Sequence, residues 1–372
     1  MIYTIFFYLI LSLVLYRQKG NTLKWACIVV AIYYGIRYNY MPDYMGYYRT
    51  FENYCNPNFV YDPDFEHMEV GWYYVSKLFI PLGVPYGFFV FVFVCSCIFA
   101  YGVYRILKVF DIDQSLLPIV MIGYFTVPAT SVLCSAQRQF LVTGIFLIAY
   151  SYLLYNKFNT WKDLYSRNTL IYYAVIAFCT TLHSSSSFLF IVPLFHLLPS
   201  KSRYASWLVL LGFAVFFIFA EKYLPLLMRG YMQQTNSYEY MEETFGSSDM
   251  ESITITAVVS YAVQIFFCAY ALSIKNLNKN DVFVMGCAIS CLIFALSGFY
   301  VKQLNRIGLY LSFFTYLSMA ILSVKLPANF RKIFSVMMWI FIIWNAMKVL
   351  QPAPLVHGRD VSYKTIFEVI FQ

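Results

Sequence analysis

Charged residues are scarce in this 372-residue chain, and the patterns that mark metal or redox sites are missing. Charged residues make up 12% of the chain and hydrophobic residues 61%, far more apolar surface than a soluble domain needs. The nine cysteines include no Cys-x-x-Cys pair, so we expect apolar thiols in the core or facing lipid. No soluble domain, low-complexity tail or internal repeat is found. The net charge of +8 does not indicate nucleic-acid binding, because its distribution along the chain has another explanation.

Apolar stretches of near-spanning length follow one another along the whole sequence. A bilayer core takes roughly 20 apolar residues as a helix, so about 12 spans fit this chain. We therefore predict an all-α, polytopic integral membrane bundle that forms one domain over residues 1–372. The predicted spans lie near 2–16, 24–36, 85–107, 114–132, 138–155, 168–182, 185–199, 204–227, 252–273, 281–300, 307–324 and 332–350.

The first apolar segment and the stretch 70–82 each need a separate prediction. The first apolar segment lacks a basic start and a small-residue cleavage site, so we expect a retained helix. The stretch 70–82 is too amphipathic for a span, and we expect it to lie in the interface or to enter the membrane and return.

The basic residues predict the orientation of the spans. The loops after the odd-numbered spans hold fifteen basic and four acidic residues, whereas eleven basic and fourteen acidic residues lie on the other side or within spans. Basic residues cluster in cytoplasmic loops, so both termini are predicted to face outward. The two longest connections, 37–84 and 228–251, then lie outside, and long loops commonly carry function.

The first long outer loop combines charge with aromatic rings. Arg37 lies where the second span ends, and Asp43 follows six residues later. Tyrosine and phenylalanine then recur at helical spacing, at Tyr44, Tyr47, Tyr48, Phe51 and Tyr54. Such rings stack on sugars, and a carboxylate binds or deprotonates hydroxyl groups. An interface anchor belt with an Arg37–Asp43 ion pair explains the pattern equally well.

Two further outer motifs carry charge close to predicted helix ends. Glu69, in FEHMEVGWYY, is a candidate sugar ligand or base, and a solvated acidic face is the alternative. Arg138 and Gln139, in SAQRQF, open the fifth span. An arginine at membrane depth normally faces a partner or a wet cavity, and its planar fork suits a pyrophosphate. A snorkelling interface arginine is the alternative here.

Two later motifs add a histidine and another arginine. His183 ends the sixth span. Histidine is a common acid or base in proteins, so His183 is a candidate for that role, or else a satisfied structural group. Arg306 begins the eleventh span, and we expect Tyr310 on the same helix face one turn later. Arg37, Arg138, His183 and Arg306 come from four separate helix ends that the predicted topology brings outside. Their convergence predicts a pocket for an anionic, membrane-tethered ligand.

Five short motifs occur in an order that resembles the EpsG family, the Wzy-type bacterial exopolysaccharide and O-antigen polymerases. They are R-Y-N with D-Y after it, E-V-G-W, S-A-x-R-Q-F, L-H-S-S-S and N-R-I-x-x-Y, spread over roughly residues 30–320. The familiar first motif contains Gly-x-Asp. This chain has Met41-Pro42-Asp43 instead, which changes the turn before the carboxylate.

The resemblance implies a helical membrane bundle related to the GT-C glycosyltransferases. The implied activity joins undecaprenyl-pyrophosphate-linked oligosaccharide repeat units at the outer face of the bacterial plasma membrane. It needs no nucleotide sugar, and we expect no cofactor and no metal ion. The expected partners are the lipid-linked oligosaccharide, membrane lipid and a chain-length regulator protein, with no nucleic acid.

The implied reaction assigns roles to particular residues. Arg138 and Arg306, together with Arg37, are the predicted pyrophosphate clamp. The full set predicted to bind substrate is Arg37, Arg138, Gln139, Arg306, Tyr310, Tyr44 and Tyr47. The candidates for the proton acceptor are Asp43, which we prefer, then His183 and Glu69.

Two other classes of function stay open on the sequence. A flippase or transporter of a lipid-linked or anionic solute would share the span count and the buried arginines. Transporters often have repeated, Gly/Pro-interrupted halves, and no such symmetry is visible here. An O-antigen-ligase-type glycosyltransferase or an acyltransferase is the third class, and a ligase would differ from a polymerase only in its acceptor.

Overall fold

The computed structural model of the chain is helical throughout the described residues, apart from one pairing of two short strands. It describes residues 2–17, 20–40, 43–62, 68–126, 128–155, 160–197, 279–297, 302–350 and 364–367, with single positions between 211 and 270. The chain divides into two compact units, Met1–Pro193 with Ala328–Gln372, and Leu194–Pro327. The predicted all-α class is confirmed, and the single domain stays a prediction.

The first unit contains ten α-helices among its described residues. They are α1 (Ile2–Tyr16), α2 (Thr22–Gly35), α3 (Tyr44–Tyr54), α4 (Val70–Lys77), α5 (Tyr86–Val109), α6 (Leu117–Phe125), α7 (Pro128–Ser135), α8 (Gln137–Leu153), α9 (Arg167–Leu182) and, after the second unit, α13 (Ala328–Leu350). Three 3-10 helices interrupt them at Ile80–Leu82, Trp161–Tyr165 and Ser184–Leu197, the last crossing into the second unit.

Helix α5 forms the centre of the first unit, where α2 and α8 pack against it. Two glycines allow α5 and α8 to approach closely. A Cβ atom on Gly102 would lie 2.7 Å from the carbonyl oxygen of Gly144, and one on Gly144 would lie 2.7 Å from the Cα of Phe99. Both distances are shorter than any ordinary van der Waals contact, so only glycine fits at this crossing.

Helix α3 confirms the predicted aromatic stripe. Its buried residues are Tyr44, Tyr47, Phe51 and Tyr54, at the spacing of one helical face. The rings pack inward, since those of Tyr44 and Phe51 lie 5.4 and 5.6 Å from the ring of Phe88 at the start of α5. The stripe therefore attaches the connection between α2 and α5 to the helical bundle.

Two strands tie the segment after α2 to the segment after α13. Strand β1 (Arg37–Tyr38) pairs antiparallel with β2 (Lys364–Thr365). The amide of Ile366 also donates to the carbonyl oxygen of Ile36, at 2.8 Å. The C-terminal segment thus reinforces the point where the chain leaves α2.

Several predicted spans are broken in the structure. The predicted span 114–132 consists of α6 and α7, which are separated before Pro128 because proline lacks an amide proton and disfavours helix in the residue before it. The hydroxyls of Thr126 and Thr130 donate to the carbonyl oxygens of Gly123 and Tyr124 and so satisfy groups at this break. The stretch predicted at 185–199 forms a 3-10 helix that contains Pro193.

The described part of the second unit contains three continuous α-helices, besides the end of the 3-10 helix Ser184–Leu197. They are α10 (Lys279–Ser297), α11 (Lys302–Leu309) and α12 (Ser312–Lys325), and α10 packs against the other two. The predicted eleventh span is therefore interrupted at 310–311. Asp281 is buried, and its carboxylate lies 3.7 Å from the Nζ of Lys325. The loop 228–251 and nearly all of the predicted spans 204–227 and 252–273 lie outside the described residues.

Two of the described helices are long and apolar enough to cross a membrane, Tyr86–Val109 and Ala328–Met347. Other apolar helices, such as α1, α2 and α12, are shorter. The number of spans therefore stays a prediction. Helix α4 has eight residues, or about 12 Å, which is too short to span a bilayer. That the stretch 70–82 lies in the interface or re-enters the membrane stays a prediction.

We predict that Gly144→Ala destabilises the protein by roughly 1–3 kcal/mol, because the new methyl group overlaps the backbone of Phe99 and forces α5 and α8 apart. The melting temperature of the solubilised protein should fall. Gly46→Ala is the matched control, since a Cβ atom there meets nothing within 4 Å and should leave the melting temperature unchanged or slightly raised. Equal melting temperatures for the two variants would contradict this packing.

Candidate functional site

The carboxylate of Glu69 is the centre of a cluster that joins three distant parts of the first unit. Glu69 precedes α4 in an extended conformation. Its Oε1 accepts from the backbone amide of Ser184 at 2.8 Å and from the Ser184 hydroxyl at 3.1 Å, and it lies 3.1 Å from Nδ1 of His183. Its Oε2 is bound by the guanidinium of Arg138. Both oxygens of the carboxylate are thus engaged by donors.

Arg138 reaches this carboxylate from the first turn of α8. Helix α8 starts after Ala136, whose backbone is not helical, so Arg138 lies at the N-terminal end of a new helix. Its Nε donates to the hydroxyl of Tyr47 at 3.4 Å, and the guanidinium carbon lies 5.8 Å from the centre of the Tyr47 ring. The Arg138 side chain is 16% exposed, so it is largely desolvated but still reachable.

His183 reaches the carboxylate from the opposite side, at the C-terminal end of α9. Its backbone is extended, and its amide donates to the carbonyl oxygen of Cys179 at 2.9 Å, which closes the helix. An ionised carboxylate only accepts hydrogen bonds, so the proton between Glu69 and His183 belongs to Nδ1 of the imidazole. The side chain is 19% exposed.

Gly71 allows α4 to approach α9 closely enough for these contacts. A Cβ atom at this position would lie 2.6–2.7 Å from the backbone carbonyl group of Thr181. Gly71 is two residues after Glu69, and Thr181 is two residues before His183. Any larger residue at position 71 must therefore separate the two segments that carry the carboxylate and the imidazole.

The cluster keeps Glu69 ionised. Burial by itself raises the pKa of the Glu69 carboxyl, but the hydrogen bond from His183, the charge of Arg138 and the amide of Ser184 outweigh it and lower the pKa from 4.5 to about 2. The stabilisation from this carboxylate is therefore complete above about pH 4.5 and is lost as the pH falls through about 2. With His183 neutral, the charges of Glu69 and Arg138 cancel.

Arg37 lies elsewhere and is completely buried. One of its amino groups donates to the carbonyl oxygen of Tyr34 and, at 3.2 Å, to the hydroxyl of Ser96. The other donates to the carbonyl oxygen of Cys134 at 2.8 Å and to the side-chain oxygen of Gln137 at 2.9 Å. Arg37 therefore joins α2, α5 and the junction between α7 and α8. Among the described residues it makes these contacts and no ion pair with Asp43.

Three other predicted site residues, Asp43, Tyr44 and Gln139, also belong to the first unit. Asp43 is half-buried before α3, where its carbonyl oxygen accepts from the amide of Tyr47 at 3.2 Å. Tyr44 is buried, and its hydroxyl donates to the carbonyl oxygen of Arg37 at 2.9 Å. Gln139 is buried within α8. That these three residues bind substrate or take its proton stays a prediction.

Arg306 and Tyr310 belong to the second unit. Arg306 is exposed in the last turn of α11, whereas Tyr310 is fully buried just after that helix ends. The expectation that the two share one helix face was wrong, because α11 ends at Leu309 and the chain turns at 310–311. Their predicted roles toward substrate stay predictions.

Sequence reasoning missed several residues that build the site. Ser184 was not among the predicted site residues, although its amide and hydroxyl both bind Glu69. Gln137 and Ser96, which hold Arg37, and Gly71 were not assigned any role. The available signal was that Gln137 directly precedes Arg138 in the S-A-Q-R-Q-F motif. Among the described residues, no three His, Cys, Asp or Glu side chains are grouped closely enough to hold a metal ion.

Comparison with protein families agrees with this arrangement of motifs. The model of the EpsG family matches residues 21–365, which is nearly the whole chain. This chain belongs to the EpsG family. EpsG proteins are polysaccharide polymerase-like, so the family and the apolar helices together indicate a membrane protein of polysaccharide biosynthesis. No curated protein and no solved structure matches the chain.

We predict that Arg37→Ala removes folded protein rather than a specific step of catalysis. The substitution leaves the carbonyl oxygen of Cys134 and the side chain of Gln137 without their donor, which costs roughly 3 kcal/mol or more. Yield and melting temperature of the solubilised protein measure this. Arg105→Ala is the control, because Arg105 is only half-buried and donates to Ser151. Equal losses of yield and melting temperature for the two substitutions would contradict the structural role of Arg37.

Proposed function

We propose that this EpsG protein is a polysaccharide polymerase that joins oligosaccharide repeat units carried on undecaprenyl pyrophosphate. The observation that supports the proposal most strongly is the Arg138–Glu69–His183 cluster. It combines a cation, an ionised carboxylate and an imidazole on three helix ends, all partly exposed. These are the groups that a displacement at a sugar carbon needs when the leaving group is a diphosphate.

The proposed reaction breaks one bond and forms one. A hydroxyl oxygen of the incoming unit attacks the anomeric carbon of the growing glycan. The bond between that carbon and the pyrophosphate oxygen breaks, and its electron pair leaves with the lipid pyrophosphate. The hydroxyl proton passes to a base of the protein, for which His183 is the best-placed candidate, and such a base typically contributes 10²–10⁴-fold in rate.

The leaving pyrophosphate requires positive charge, and Arg138 supplies the first cation. Because Glu69 balances Arg138, more positive charge is needed at the same place. Arg37 contributes at longer range, since its buried charge is surrounded by neutral oxygens of the described residues. Arg306, in the N-R-I-x-x-Y motif, stays the second contact to the diphosphate that the sequence predicts. Positively charged donors aimed at a developing anion are commonly the largest contribution to such catalysis.

The proposed setting is a GT-C-like bundle of about 12 spans in the bacterial plasma membrane, with the cluster facing outward. The apolar helices support a membrane location. The pairing of β1 with β2 is consistent with the predicted topology, which brings the end of the second span and the C-terminus to the same side. Membrane lipid and a chain-length regulator are the other proposed partners, and no cofactor or metal ion enters the proposed reaction.

We expect Arg138→Ala and Arg306→Ala each to abolish polymer while the protein still accumulates in the membrane. The physical reason is loss of the charge that stabilises the leaving diphosphate. The measurement is glycan chain length in cells whose own copy of the gene is deleted, with immunoblotting of the membranes. Arg105→Ala is the control and should give normal chain length.

Normal glycan chain length in Arg138→Ala or in Arg306→Ala would contradict the proposed pyrophosphate clamp. Transport of the lipid-linked unit by the purified wild-type protein, without any new glycosidic bond, would contradict polymerisation itself and favour a flippase.

A further inference from the structure

Glu69 accepts so many hydrogen bonds that its carboxylate is poorly suited to take a proton from substrate. Its Oε1 receives donors from both the backbone and the side chain of Ser184 and from His183, and its Oε2 receives Arg138. Three donors on Oε1 leave that oxygen no free lone pair, and the carboxyl pKa of about 2 makes Glu69 a weak base at neutral pH. It is nevertheless the group on which the other members of the cluster converge.

The contact with Glu69 determines which ring nitrogen of a neutral His183 carries the proton. A neutral imidazole carries one proton, and the carboxylate holds that proton on Nδ1. The lone pair is then on Nε2. Nε2 has no hydrogen-bond partner among the described residues, while the side chain is 19% exposed. The free nitrogen is therefore available to a molecule that enters from outside.

We infer that Glu69 is a positioning residue which holds His183 in the tautomer and orientation that present Nε2 as the proton acceptor for the attacking sugar hydroxyl. The inference rests on the proposed polymerase function, which it deepens by assigning separate roles to two of the three candidate bases. When the hydroxyl proton moves to Nε2, the imidazole becomes positively charged, and the Glu69 carboxylate stabilises that charge directly. The proton then passes to water.

A cycle of single and double substitutions tests whether Glu69 acts through His183. The full-length protein in proteoliposomes is given the lipid-linked oligosaccharide that accumulates in cells lacking the gene, and kcat and KM are measured separately. We expect His183→Ala to lower kcat by roughly 10²–10⁴-fold and Glu69→Gln by about tenfold or more, with KM little changed. The double variant should be about as slow as His183→Ala alone, because the group that Glu69 positions is already missing.

Two further variants separate chemistry from structure. His183→Asn keeps a side-chain N–H that can donate to Glu69 but has no Nε2, so we expect it to be as slow as His183→Ala. Added imidazole should partly restore the rate of His183→Ala, because a free base does not need Glu69 to orient it. Arg105→Ala, at a residue that donates to Ser151 and takes no part in the cluster, is the control and should retain the wild-type kcat.

The outcomes distinguish this inference from the proposed function. Polymer formed by the wild type, with the non-additive losses described above, supports both. A double variant slowed by the full product of the two single losses overturns the positioning role, and so does normal activity of His183→Asn. A wild-type protein that binds the oligosaccharide but forms no glycosidic bond overturns the proposed function instead. Should Glu69→Gln not accumulate, His183→Asn and imidazole rescue still decide the role of His183.

Discussion

The packing of three distant segments of the first unit depends on one carboxylate that they share. Glu69 binds the start of α8 through Arg138 and the end of α9 through His183 and Ser184. An eight-residue helix such as α4 has little stability of its own, so it needs such contacts to hold its place. Gly71 provides the close approach to α9, and Trp72 packs against Tyr47 of α3 with ring centres 5.6 Å apart. Without the carboxylate, α4, α8 and α9 would lose their common anchor.

Two arginines that look alike in the sequence have opposite roles in the structure. Arg37 is completely buried, and its amino groups are engaged by oxygens of the bundle. Arg138 is partly exposed and paired with a carboxylate beside a histidine. The first holds the junction from which the second projects, since Arg37 binds Gln137, the residue before Arg138. In a chain with so few charges, one buried arginine thus supports the position of an accessible one.

The sequence predicted the helices well because long apolar runs leave little alternative to helix. The stripe of α3 and the convergence of Arg138 with His183 also followed from spacing and topology. Other features depend on distances that no sequence pattern contains. Spacing could not show that Gly71 faces the backbone of Thr181, nor that Arg37 is enclosed while Arg138 is reachable. The breaks before Pro128 and at 310–311 were missed because the apolar composition continues across them.

The most direct test of the account is the thermal stability of Arg138→Ala, Glu69→Ala and the double variant. Each single substitution leaves the partner charge partly buried and unpaired, whereas the double substitution removes both charges. The account predicts that the fall in melting temperature for the double variant is clearly smaller than the sum of the two single falls. If the single effects add up in full, Arg138 and Glu69 do not form the interaction on which this site is built.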